Sequence, residues 1–282
     1  MKISTQSFVR STRLVDGKVM HIDDTKNNIN SLKNNMYEYN YTESGITVRS
    51  DASFVKLEFL FQPIIDLKQR QVRHLEILSK VLSDSGEIFY NETFFSEIDQ
   101  EFIKMVALAQ IKFCSDLKVH IPITLNITLS CLKDSFFLQS LLNECDVNFD
   151  LEITDIDCDV NCGRLQSSIR LLKRSGVGLL LDDYYHKNNA ANSSLGFIDW
   201  DYIKVDKSFL HHNCDDINTI KYLLRVISPY AKNGIILEGV ETSYQHDIVK
   251  NLDVLVQGYL YSPPVSWTQL KREMNITNKE HV

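Results

Sequence analysis

Glycine and proline are scarce in this 282-residue chain, ten and five respectively, which excludes collagen-like, linker-rich and low-complexity architectures. No apolar run approaches the ~18 residues that a membrane-spanning helix needs. The opening MKISTQSFVRSTRL also lacks the apolar stretch of a secretory leader. A cytoplasmic chain with no membrane span is therefore expected. Of the six cysteines, Cys114, Cys131, Cys145, Cys158, Cys162 and Cys214, no two are spaced CxxC, so buried thiols are expected rather than zinc sites or disulfides. Positive charge is short as well. Thirty Lys plus Arg stand against 37 Asp plus Glu, and a net charge of −7 argues against gripping a DNA or RNA polymer by phosphate neutralisation. A small phosphorylated ligand remains compatible, provided metal ions bring the positive charge.

What is present is the balance of a soluble globular protein, 44% hydrophobic and 24% charged, long enough for one large domain or two small ones. Residues 1–53 are rich in Asn, Ser, Thr and Asp and carry two hairpin patterns. One lies around Asp16-Gly17, and the other runs from Met36 to Val48 through Gly45. They are expected to form a short N-terminal extension, with a barrel over 54–275 and a tail over 276–282. Beyond Phe54, short apolar runs alternate with helical patterns. Leu165, Ile169 and Leu172 precede Gly176; Ile217, Ile220, Leu224 and Ile227 precede Gly234, taken as the stop of that helix; Thr242 with Gln245 predicts a capping box. Such β-then-α repetition predicts a mainly parallel sheet with helices outside, an α/β fold of (β/α)8 barrel type.

The residues at the strand ends carry the chemistry. The apolar runs end at Gln62, Glu76, Asn126, Glu152, Asp182-Asp183, Lys204, Glu238 and Gln257. In a (β/α) barrel those ends converge on the face where active sites form. A set dominated by Glu76, Asn126, Glu152, Asp182, Asp183 and Glu238 offers hard oxygen donors and no His or Cys, which fits Mg²⁺ or Mn²⁺ rather than zinc. Paired ions on the Asp182-Asp183 step would suit phosphodiester hydrolysis. Lys204 can hold a water at the same face, while Gln62 and Gln257 read as ligand-orienting amides. The acidic run Asp155 to Asp159, His186 and His211-His212 read as solvated.

At these positions the sequence resembles the EAL-domain family of bacterial cyclic di-GMP-specific phosphodiesterases. The matching segments follow in order: Phe61-Gln62-Pro63-Ile64, Glu76-Ile77-Leu78, Leu125-Asn126-Ile127-Thr128, Leu151-Glu152-Ile153-Thr154, Asp182-Asp183, Ile203-Lys204-Val205-Asp206, Glu238-Gly239-Val240-Glu241-Thr242 and Gln257-Gly258-Tyr259-Leu260. The resemblance implies a modified TIM barrel and two Mg²⁺ or Mn²⁺ ions. Glu76, Asn126, Glu152 and Asp182 would bind the first ion, and Asp182, Asp183 and Glu238 the second. Lys204 and Glu241 would be catalytic, Lys204 on the hydrolytic water and Glu241 supporting the metals from behind with Gln257. Gln62, Leu78, Lys80 and Gln257 would meet cyclic di-GMP, which would leave as the linear dinucleotide; a homodimer is implied too. Three departures stand out. Ile77 and Lys80 replace the family's Ala and Arg, the loop Tyr184 to Asn192 is longer and lacks glycine, and Asp155 replaces the glutamate that anchors that loop. A catalytically silent receptor for cyclic di-GMP or for a protein partner is the alternative reading.

Overall fold

The computed structural model describes residues 13–15, 18–20, 37–50, 53–143, 146–185 and 189–277. They divide into two compact units. One holds the described residues up to Glu58 together with Ser79–Ile103; the other holds Phe59–Leu78 and the described residues from Lys104 onward. His186 and Cys145 lie outside the described residues.

In the first unit, β1 (Arg13–Val15) pairs antiparallel with β2 (Lys18–Met20), while Asp16-Gly17, expected as the turn, lies outside the described residues. The second expected hairpin is formed by β3 (Glu38–Thr42) and β4 (Gly45–Ser50). β4 then pairs with the opening of β5 (Ser53–Asp66) in the register Gly45↔Glu58 to Ser50↔Ser53. Alternation along β4 sends Ile46 and Val48 inward, where both are fully buried. The end of β6 (Gln71–Ser83) and α1 (Asn91–Glu97) contribute Val81 and Phe94 to the buried set. Phe102, at the start of α2 (Gln100–Asp116), meets Phe94 edge-on at 5.6 Å.

The second unit is a closed eight-stranded barrel. β5 and β6 are followed by β7 (Ile123–Thr128), β8 (Phe149–Asp155), β9 (Leu179–Tyr184), β10 (Trp200–Val205), β11 (Ala231–Leu237) and β12 (Leu255–Val256), in that spatial order. Pairings from β6 through β12 are parallel, and β12 closes the ring by pairing antiparallel with β5, Val256 against Ile65. The first strand is thus reversed relative to a regular (β/α)8 barrel. Outside run α3 (Ser135–Asn143), α4 (Gly163–Arg174), α5 (Asn189–Ser194), α6 (Lys207–Asn213), α7 (Ile217–Ile227), α8 (Ser243–Val249) and α9 (Trp267–Thr277). The Leu165, Ile169, Leu172 stripe of α4 is buried, and α8 opens with the Thr242–Gln245 capping box. Ile64, Leu180, Tyr202 and Ile236 form one layer of the barrel core.

Three expectations need correction. Gly234 does not end α7, which stops at Ile227. It sits inside β11 with φ +132°, where the register against β10 slips between Trp200 and Tyr202, so the missing side chain accommodates a strand bulge. Gln62 is not at a C-terminal strand edge, because β5 runs backwards and carries it mid-strand. Glu76 is also mid-strand, since β6 continues to Ser83. Among the cysteines, Cys114 and Cys131 are buried free thiols, both pushed up by burial. No helix among the described residues is long and apolar enough to cross a membrane.

Candidate active site

Lys204 occupies the centre of one barrel end. Every residue of β10 is buried, and the Lys204 side chain is 2% exposed. A buried ammonium without counter-charges would be prohibitively costly, and four neighbouring elements supply them. Nζ contacts Glu152 Oε1, lies 2.8 Å from Glu238 Oε1 and 3.1 Å from Asp182 Oδ1, and reaches Glu76 Oε2 at 3.3 Å. Strand register sets this convergence: Asn126 stands beside Glu152 across β7 and β8, and the Glu238 N–H donates to the Val205 carbonyl at 3.2 Å. Glu76 is fixed further by Asn126 Nδ2 at 3.1 Å and Gln257 Nε2 at 2.6 Å. Gln257 Nε2 also donates to Gln62 Oε1 at 3.1 Å, and Gln62 Nε2 donates to the Ser262 carbonyl at 3.1 Å.

The electrostatics are unbalanced. Four carboxylates, Glu76, Glu152, Asp182 and Glu238, face one ammonium, and the exposed Asp183 adds a fifth beside Asp182 and Glu238. Burial pushes the Glu238 carboxyl up to about 8, against the pull of Lys204, and raises Glu152 well above the usual carboxylate range, helped by repulsion from Glu76. Burial also works against ionised Glu76, but Lys204, Gln257 and Asn126 together outweigh it and hold that group low. The four carboxylates overcome the burial of Lys204 and hold it charged. Glu152 Oε2 is buried with no hydrogen-bond partner. Asp182, Asp183 and Glu238 each offer an oxygen within 4.8 Å of the others. Were all five carboxylates ionised beside the one ammonium, the surplus negative charge would be of the kind divalent cations balance, and the donors are all hard oxygens. The residues present therefore fit such ions.

The other expected site residues fall elsewhere. Glu241 does not join the cup: its side chain is 45% exposed and lies 4.0 Å from His211 Nε2. Leu78 is half-buried on β6. Lys80, in the first unit, lies 3.5 Å from Glu58 Oε2. Asp155 is exposed, its carboxyl raised by burial and by Asp157, and it shares a cavity of about 120 Å³ with Asp182, Asp183 and Ala191. Asp157, read as solvated, accepts the Ser130 N–H at 2.7 Å. In the rebuilt loop, the Tyr184 hydroxyl donates to Asn192 Oδ1 at 2.8 Å and the Tyr185 ring stacks edge-on to Phe209 at 4.8 Å. Asp183 and Tyr185 take left-handed backbone, φ +49° and +87°, a costly setting for the bulky tyrosine.

His211 is a residue that sequence reasoning set aside. Its Nε2 lies 2.9 Å from the Gly239 carbonyl, clasping the turn that follows Glu238. Gly239 was the available signal, since at φ +71° a Cβ there would collide with Lys207 Cβ beside His211.

The sequence matches the EAL domain over residues 49–264. The chain belongs to the EAL domain family. It is 26% identical over 227 residues to cyclic di-GMP phosphodiesterase PdeA of Borreliella burgdorferi, covering 72% of this chain and 33% of that one. Against cyclic di-GMP phosphodiesterase PdeL of Escherichia coli strain K12 it is 28% identical over 152 residues, 51% of this chain and 42% of the other. The match therefore spans less than half the length of either relative. An EAL domain protein structure from Listeria monocytogenes EGD-e has the same fold, with TM-score 0.62 and 22% identity over 77% of this chain and 92% of the other.

Proposed function

We propose that this EAL domain is a metal-dependent phosphodiesterase that opens one ring phosphodiester of cyclic di-GMP to give linear pGpG. The observation that carries this reading is the set of carboxylates around a single buried ammonium, a charge deficit that two Mg²⁺ or Mn²⁺ ions would balance. Glu76, Asn126, Glu152 and Asp182 would hold one ion, and Asp182, Asp183 and Glu238 the other. Bound there, divalent ions supply Lewis acidity toward the attacking water and the departing oxygen. The chain's own groups do the rest. Lys204, once released from part of its carboxylate clasp, orients the attacking water through Nζ. Gln257 and Asn126 fix the Glu76 carboxylate, and Gln62 fixes Gln257 in turn. Lys204, Glu76 and Glu152 are buried, so the charges among them act more strongly than they would in water.

A second reading, a silent receptor for cyclic di-GMP or for a protein partner, is favoured by the strained, lengthened loop after Asp183; homodimerisation through that loop goes with either reading. One assay separates them: the protein with cyclic di-GMP and Mg²⁺, followed by chromatography. Appearance of pGpG that is lost in EDTA supports the enzyme. Saturable binding of cyclic di-GMP with no product supports the receptor.

A further inference from the structure

The barrel end opposite the carboxylate cup holds a cavity of about 600 Å³, bounded by the first residues of β6, β10 and β11 and by the turn before β9. Two carboxylates in its wall are already matched. Asp150 accepts the Gly178 N–H at 2.6 Å and lies 3.0 Å from His74 Nε2; Asp201 accepts the Leu179 N–H at 2.8 Å and pairs with Lys173. Positive charge is left over. Arg73 and Lys232, both exposed on the cavity wall, take part in no ion pair among the described residues; Arg73 reaches Gln69 Oε1 at 3.5 Å and lies beside the Tyr202 hydroxyl. The His74 side chain, another part of the wall, is 8% exposed, and its Nδ1 has no hydrogen-bond partner.

A guanidinium and an ammonium on one cavity wall match a phosphate, the guanidinium through its paired N–H donors. The volume falls in the range of small-molecule sites, roughly 300–1,000 Å³. We propose that this end of the barrel is a second ligand site, taking a small phosphate-bearing molecule, distinct from the substrate of the carboxylate cup. Nothing in the metal chemistry of the cup enters this assignment.

The test is calorimetric titration of the full chain in EDTA and low salt with inorganic phosphate, ribose 5-phosphate and GMP. EDTA withholds the divalent ions that would draw a phosphate to the other barrel end. Saturable binding of the phosphate-bearing probes is expected, weakened at least ~10-fold by Arg73→Gln or Lys232→Gln and unchanged by Asp182→Asn. Both Gln substitutions are at exposed side chains and should keep the wild-type circular dichroism. Tighter binding of GMP than of ribose 5-phosphate identifies a nucleotide, and equal affinity identifies a sugar phosphate; either supports the site. Absence of saturable binding by all three probes, or binding that the Gln variants leave intact, overturns the proposal. So does binding that Asp182→Asn removes.

Discussion

The two ends of the barrel use the same residue types to opposite purposes. At the N-terminal end each buried aspartate is satisfied within the chain: Asp201 has the Leu179 N–H and Lys173, and Asp150 has the Gly178 N–H and His74. At the C-terminal end Glu76, Glu152, Asp182 and Glu238 share the ammonium of Lys204, and Glu152 keeps a buried oxygen without a partner. A carboxylate that the fold already balances is a fastener. A surplus of them is a demand for something from outside. Burial alone does not tell the two apart, since Glu152 and Asp201 are both buried; counting partners does.

The largest effect that would break this contrast is catalytic. Glu152→Gln or Asp182→Asn should lower kcat at least ~10³-fold, by loss of charge stabilisation in the transition state, while the melting temperature holds or rises because mutual repulsion is relieved. A few-fold loss with an unchanged fold would remove both residues from the reacting centre. At the other end the signs reverse. Asp201→Ala removes a buried carboxylate and leaves its two donors, Lys173 Nζ and the Leu179 N–H, without their acceptor, and urea unfolding should show a loss of about 2–4 kcal/mol.

Removal of metal sharpens the contrast next. At a free concentration of 100 times Kd, Mg²⁺ or Mn²⁺ should stabilise the protein by about 2.7 kcal/mol per site, seen as a rise in melting temperature that EDTA reverses. Asp182→Asn should abolish that rise, whereas Asp201→Ala should start from a lower melting temperature and keep it.

The smallest expected effect belongs to a half-exposed pair at neither end, and serves as a control. Lys104 Nζ lies 2.7 Å from Asp134 Oδ2, and that hydrogen bond, with those from the Phe137 and Phe136 N–H groups, holds the Asp134 carboxyl below its ordinary value of 3.8. Its folded pKa is below its unfolded one, so the stability it contributes is present above pH 3.8 and is lost as pH falls toward the lowered value. Asp134→Asn should therefore be less stable than wild type at neutral pH and converge on it in acid, a difference readable by denaturant midpoints at pH 6 and pH 3. Equal gaps at both pH values would assign the contribution to packing.

Much of the cup was legible because each of its members follows an apolar run that can only be a buried strand, as with Leu179-Leu180-Leu181 before Asp182. Strand direction was not legible. Gln62 reads identically whether β5 runs with its neighbours or against them, because side-chain alternation has no polarity along the chain. Nor could the spacing show that β6 continues past Glu76, since Ile77 to Ser83 keeps the same alternation for longer than a barrel strand needs. Gly234 misled for a related reason: a glycine after a helical stripe suits a helix stop and a strand bulge equally, and only the register between β10 and β11 distinguishes them. Glu241 follows a turn whose course depends on Gly239 and which His211 clasps from α6, and no periodicity reports the direction of a turn.

The reversed first strand has a further consequence, for the order in which the molecule can be made. The seam that closes the barrel joins chain segments about as far apart as the barrel allows: Gln62 bonds the Ser262 carbonyl across 200 positions, and Gln257 reaches Glu76 across 181. At ribosomal speeds of ~5–20 residues per second, β5 emerges roughly 10–40 s before the strand that covers its second edge. During that interval its N–H and C=O groups form an open template for pairing with another chain. Folding should accordingly be slow and end late, and a nascent chain stopped before Val256 should aggregate, even though every carboxylate of the cup has already been synthesised.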